Sequence, residues 1–450
     1  MMKFKSFLLI LLCCAMLLSA AGCQQQPTPT EPPHQHTFED WKLQQAALCS
    51  QEGRETRYCT GCGFVESRTI PKEAHVLGNY NICKACKYVD FDDNANFVEL
   101  GVVCDYLYGK TDLPKSAWDI KIWNGKVYRG AGDYDKNSGS TPFYSYNIAT
   151  KSWEQLSFAS DEAIHRFIEI NGTLYSPGID PTEGWSEGNY YVLEGNVFQK
   201  VRNLPNGIHC FDMIEFDGKI FAGVGTETTA NTVAVSEKGG SGWKFVPLYQ
   251  DGKPMALSGY EWSRTYEFVE YNGDLYALIS LRMGIGSLFA VFRYEDGKMV
   301  YLRNASGLLG GISTGRTYWE GKFAHNGVCY LSTGYLYAIT DFSDEKAAVK
   351  INMPQKEQVS DAILKDGVIY TLAFRALVDK SSNKRIGYTT TIYQSTTGEA
   401  GSFTEVLSFD YACMPISFDY DGEHFYIGMG VAQSDQTEKS GMVLRVKPTP

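Results

Sequence analysis

The chain has 450 residues, 44% hydrophobic and 21% charged, enough to bury a sizeable core and to hold two or three domains. Its formal net charge is −11 and it has no long Lys/Arg run, so nucleic acid is excluded as a partner, because neutralising phosphates takes clustered cations. With 29 Tyr, 24 Phe and 8 Trp, and few helix-favouring runs after residue 100, the composition points to an all-β body.

At the N-terminus, Lys3 and Lys5 precede an apolar run from Phe7 to Leu18, followed by Ser19-Ala20-Ala21-Gly22-Cys23. A charged start, an apolar segment and a small-residue site make residues 1–22 a secretory signal. The run is shorter than the about 20 apolar residues a spanning helix needs. Ending on Ala-Ala-Gly-Cys, it resembles a bacterial lipoprotein signal, although Ala20 stands where Leu is commoner. That resemblance implies a lipid on Cys23, and a protein held by it on the extracellular side of a bacterial cell membrane. Ordinary secretion, with cleavage near Ala20 or Ala21, is the alternative. Residues 23–35 are Pro- and Gln-rich without an apolar face, which suits an extended tether.

Residues 36–90 carry five cysteines, including the pairs Cys59-x-x-Cys62 and Cys83-x-x-Cys86, and two histidines, His36 and His75. Two such knuckles, 20 residues apart, match a tetrahedral Cys₄ zinc site. The order His36, Trp41, Cys49, Gly53, Cys59, Cys62-Gly63, Ile70-Pro71, His75, Cys83, Cys86 resembles a short His/Cys repeat of Gram-positive surface proteins, with a full first copy and a shortened second. The resemblance allows another first site of His36, Cys49, Cys59 and Cys62. Either way the expectation is a zinc-ribbon-like module stapled by structural zinc. Disulfides, permitted outside the cell, are the alternative.

From residue 97 onward one pattern repeats. An Asn-Gly or Asp-Gly is followed, three residues after the Gly, by Tyr or Phe. The copies are Asn124-Gly125/Tyr128, Asn171-Gly172/Tyr175, Asp217-Gly218/Phe221, Asn272-Gly273/Tyr276, Asn326-Gly327/Tyr330, Asp366-Gly367/Tyr370 and Asp421-Gly422/Phe425. Such dipeptides supply the two positive-φ positions of a type I′ hairpin turn, and their flanks are β-branched and aromatic. The glycines recur every 40 to 55 residues with about four strand-like runs between them. That period predicts a seven-bladed β-propeller over residues 97–450. The aromatics at the fixed offset are read as packing between blades. The last repeat has only three strands, and the orphan run 97–103 is expected to pair with it and close the ring. Cys104, Cys210, Cys329 and Cys413 fall in different repeats and read as buried thiols. The hairpin from Ser236 to Trp243 resembles the Asp-box of sialidase-like propellers with Lys238 in place of the Asp, and Ser395 to Phe403 is a more eroded copy.

In a propeller the first strand of each blade lines the channel. The candidates for a ligand site at that funnel are His165, Arg166, His209, Asp212, Trp262, Arg264, Arg316 and Tyr318, with Trp118, Asp119, Tyr266 and Asp361 nearby. The favoured reading is a membrane-anchored extracellular protein that binds a glycan or peptide there. The alternative is a glycoside hydrolase or lyase of the sialidase-like type, its arginines gripping a substrate carboxylate. Against it, the chain lacks that family's Arg-Ile-Pro motif, and Arg166, Arg264 and Arg316 stand at unequal distances from their turns.

Overall fold

A computed structural model describes residues 35–102, 116–132, 140–184, 186–205, 207–226, 231–284, 286–305, 308, 320–430 and 437–448. The signal segment, Cys23, most of the tether, Cys104, Arg316 and Tyr318 lie outside the described residues. The chain divides into two compact units, one ending at Ala74 and one beginning at His75, so the 36–90 stretch is shared between them.

In the first unit, Lys42–Gln45, Gly53–Tyr58 and Val65–Ile70 form a three-stranded antiparallel sheet. Little of it is buried, as expected of so short a segment. The guanidinium groups of Arg57 and Arg68 lie 4.6 and 4.3 Å from the Trp41 ring, where cation–π attraction replaces part of a missing core.

The second unit is a β-propeller. Among its described residues, four-stranded antiparallel runs follow one another, five of them separate sheets and two joined with short strands in one thirteen-stranded sheet. The first comprises Ile120–Trp123, Lys126–Arg129, Thr141–Asn147 and Ser152–Ala159. The others span residues 168–205, 209–246, 262–304, 322–351, 358–411 and, for the last, 414–446 with a fourth strand from far upstream. At six of the seven Asx-Gly dipeptides both residues have positive φ, between 46 and 80° in each case, as the twist of a two-residue hairpin requires. The seventh differs. Tyr420 pairs with Phe425, leaving a four-residue loop in which the Asp421 carboxylate accepts the N–H groups of Glu423 (2.8 Å) and His424 (2.6 Å). Two extra loop residues remove the need for the tight turn, and the side chain caps the loop instead.

Four of the seven repeated aromatics meet rings of the next sheet. Tyr128 meets Phe167 and Phe198, Phe221 meets Phe268 and Tyr294, Tyr276 stacks on Phe342 at 4.3 Å, and Tyr370 meets Phe425. A second set of links runs between inner strands. The carboxylates of Asp119, Asp212, Asp361 and Asp419 each accept a backbone N–H from the following sheet, from Phe167 (2.6 Å), Phe268 (2.7 Å), Phe418 (3.2 Å) and Ile122 (2.7 Å). Cys210 and Cys329 are buried in two different sheets, and Cys413 is buried in the connection between the last two.

The fourth strand of the last sheet is Phe97–Gly101, which pairs antiparallel with Val443–Val446. The seam is fixed from the first sheet. Trp153 Nε1 donates to Leu100 O (2.7 Å), and the fully buried Arg129 donates through Nε and Nη2 to Gly441 O (3.1 and 2.7 Å). Ile82 and Val89 join Val98, Leu100 and Trp153 in one apolar cluster, so the second Cys/His segment is built onto the propeller.

Leu100 is fully buried at this seam. Leu100→Ala is expected to cost about 2–5 kcal/mol in denaturant unfolding of the propeller. A loss below about 0.5 kcal/mol, typical of exposed positions, would contradict the closure.

Candidate functional site

Two Cys/His groups are arranged for a metal. His36, Cys59 and Cys62 bring their donor atoms within 4.8 Å of one another, with His36 Nδ1 3.3 Å from Cys62 Sγ. Cys49, the fourth residue expected there, is not in this group. The second group takes His75, Cys83 and Cys86, with His75 Nδ1 3.4 Å from Cys86 Sγ and its ring stacked on Tyr88. Within each unit the Cys-x-x-Cys knuckle therefore sits with a histidine. The mixed N/S donor set fits a tetrahedral soft-to-borderline cation. Burial would raise the Cys83 thiol, but the Cys86 and Ala85 N–H groups and His75 pull it down to about 6. It is thus ready to bind metal as a thiolate.

The residues expected at the funnel separate into three places. Arg166 and Asp212 form an ion network with Glu267 and Lys322, two residues the sequence reading did not single out. Arg166 donates to both Glu267 oxygens (2.6 and 2.9 Å) and lies 3.2 Å from Asp212, while Lys322 contacts Asp212 and, at 2.9 Å, Glu267. All but Lys322 are buried. Strand geometry explains how they meet. Asp119, Arg166, Asp212, Glu267 and Asp361 all stand five residues before the Asx of their turn. At Asp212, Glu267 and Asp361 the register slips, and the bulge re-aims the side chain. Burial alone would lower the Arg166 pKa, but Glu267 and Asp212 hold it well above its usual value. Burial pushes Glu267 up despite Arg166 and Lys322. Asp361 is driven well above the carboxylate range by burial and by the nearby Glu320 and Asp119.

His165 is elsewhere, buried with its Nε2 2.8 Å from Phe211 O. Trp118 is likewise buried and donates Nε1–H to Gly132 O.

The third place is a shelf at the starts of the inner strands of the third and fourth sheets. His209 Nδ1 is 2.8 Å from Asp180 Oδ1, and the imidazole stacks on Phe211, which meets Tyr266. Burial lowers the His209 pKa against the pull of Asp180, leaving the ring neutral at pH 7. Burial would raise Asp180, yet His209, Glu162 and Arg264 hold it below the usual range. Trp262 and Arg264 are two apart on one strand and therefore share a face, and Arg282 is the cross-strand partner of Trp262. The Arg264 guanidinium sits 4.5 Å from the Trp262 ring. Unlike Arg166, Arg264 is only partly buried.

Comparison with known proteins adds shape only. No protein-family model matches the chain, and no curated protein matches it. Among solved structures it is similar to YCF48 bound to D1 peptide, at 10% identity over 81% of this chain and 100% of that one, TM-score 0.43. It is similar to BamB from Moraxella catarrhalis at 9% identity, covering 73% and 83% of the two chains, TM-score 0.37. It is also similar to the computationally designed Ika8 protein at 9% identity, covering 74% and 96%, TM-score 0.40.

Two outcomes check this electrostatic division. Arg166→Met leaves Glu267 and Asp212 facing one cation and is expected to cost about 3–5 kcal/mol, much of it restored in Arg166→Met/Glu267→Leu. Equal stability of wild type and single variant in denaturant titrations would contradict the network. The second concerns Asp161, fully buried beside Tyr191 and Asn189 and pushed up by that burial to about 6. An acid whose folded pKa is raised is penalised for ionising, so stability falls as pH rises from about 4 through 6 and is flat above. Asp161→Asn removes this share of the slope, about 3 kcal/mol at most. Identical pH–stability curves for the two proteins would refute it.

Proposed function

We propose that the protein is a lipid-anchored, extracellular binding propeller. Its ligand, a glycan or peptide, docks on the shelf formed by Trp262, Arg264, His209 and Asp180. The observation that carries this reading is the contrast between two sets of charges on the inner strands. Arg166, Asp212, Glu267 and Lys322 satisfy one another in a buried network, whereas the Trp262–Arg264 pair is partly exposed and outside it. The network supports binding over hydrolysis. Asp212 and Glu267 are both held by Arg166 and Lys322, which leaves neither carboxylate at liberty to protonate a leaving group or activate water. On this reading the network plugs the channel, and the shelf above it is the recognition surface.

In the same reading each Cys/His group holds a structural zinc, which staples segments too small to fold on apolar burial alone. Cys23 carries the lipid, and residues 23–35 space the domains from the bacterial membrane. The apolar run that precedes Cys23 and its small-residue site support that anchoring.

The binding claim is tested with a glycan and peptide array on the mature protein. Arg264→Ala and Trp262→Ala should abolish capture while shifting the melting temperature by no more than about 2 °C. Retained capture, or a large loss of stability in both variants, would contradict it. The anchoring claim is tested by Cys23→Ala, which should release the protein from membranes or block its processing. Unchanged membrane retention would sink that part. For the metal, elemental analysis should find two zinc ions per chain, one lost in His36→Ala and the other in Cys83→Ser. Absence of metal, with thiols that react only after reductant, would mean disulfides.

A further inference from the structure

The Arg264 side chain has an incomplete set of partners. Its Nε is buried and has no hydrogen-bond acceptor among the described residues. One side of the guanidinium lies against Trp262 at 4.5 Å, and Phe211 approaches it at 5.9 Å. The surroundings are held open for it by the absence of a side chain at Gly225, the backbone partner of Arg264. A Cβ there would come within 2.7 Å of His209 Cδ2, 2.9 Å of Phe211 Cε2 and 3.3 Å of Arg264 Cγ. His209, Phe211 and Arg264 therefore close around a backbone position that admits only glycine without displacing them. Asp180, the acid named in this cluster, is in contact with His209 Nδ1 at 2.8 Å.

A buried N–H without an acceptor costs about 1–3 kcal/mol, more on a charged group. The guanidinium cannot relieve that by giving up its proton. What suits it is a planar acceptor with two oxygens, which can meet Nε–H and a terminal N–H together. Trp262 covers one side of the guanidinium. A neutral carbonyl oxygen can also accept two guanidinium N–H groups, as Gly441 O does from Arg129, but it lacks the negative charge that strengthens such bonds.

We infer that the shelf recognises an organic carboxylate, which Arg264 grips through its Nε edge while the body of the ligand lies beside Trp262. This rests on the binding reading above and names the chemistry that the site selects.

The test uses two flat probes that differ in charge, benzoate and benzamide, titrated into the full mature protein. The readout is the Arg264 Nε–H resonance in ¹⁵N NMR, assigned by its loss in Arg264→Lys. Benzoate should shift this resonance saturably and benzamide should not, with at least about tenfold weaker binding of benzamide. In Arg264→Gln, whose fold is checked by its unchanged amide spectrum, benzoate binding followed at the Trp262 indole should fall by a similar factor. Benzamide binding as tightly as benzoate, or Arg264→Gln binding benzoate unchanged, would overturn the inference. If neutral saccharides or peptides still bind at Trp262 in that event, the binding reading survives and only the carboxylate is wrong. If no probe, charged or neutral, perturbs the shelf, both fall.

Discussion

A ring of sheets cannot tolerate an unpaired edge. Each sheet of the propeller is covered on both faces by its neighbours, so one missing strand would leave a row of backbone N–H and C=O groups at the seam of an otherwise buried core. The chain meets this constraint with Phe97–Gly101, which lies more than 300 residues from its partner Val443–Val446. The seam collects an unusual set of reinforcements. A buried Trp153 and a buried Arg129 both spend their donors on main-chain oxygens there, and Asp419 binds the Ile122 N–H across to the first sheet. Elsewhere neighbouring sheets are joined by aromatic contacts and by carboxylate-to-backbone hydrogen bonds from Asp119, Asp212 and Asp361. The closing ones are specific because the ends of the chain have only one place to meet.

Closure sets the electrostatics of the centre. Inner strands of several sheets bring polar residues together and bury them. The bulges at Asp212 and Glu267 turn two acids towards Arg166 and Lys322, and the four residues neutralise one another. Asp119 and Asp361 are instead used as acceptors for the backbone of the next sheet. The starts of the inner strands differ. There Trp262 and Arg264 stand before the bulge and are not drawn into the network.

Much of this was legible in the sequence, for physical reasons that can be named. Asn-Gly and Asp-Gly announce hairpins because few other dipeptides adopt two positive-φ positions, and the aromatic at a fixed offset marks the strand that packs forward. The loop at Asp421 was misjudged as a tight turn because the dipeptide alone does not reveal how many residues follow before pairing resumes. The ion network was half visible. Arg166 and Asp212 were noted, but Glu267 and Lys322 were not, although Glu267 shares their position five residues before the Asx. Counting that offset in every repeat would have found it. Bulges hide such residues, since a plain alternation of faces places them wrongly. In the Cys/His region each knuckle is grouped with a histidine of its own unit. Spacing in sequence specifies the knuckle and leaves its third partner open.

The dependence on closure is tested most directly by native-state hydrogen exchange of the amides in Phe97–Gly101 and Val443–Val446. The account predicts that paired amides of both strands exchange only through the global opening of the propeller, with the same free energy as its inner strands. If Phe97–Gly101 instead exchanged freely while the seven sheets stayed protected, the strand would be an ornament on the ring and the seam would not hold it together.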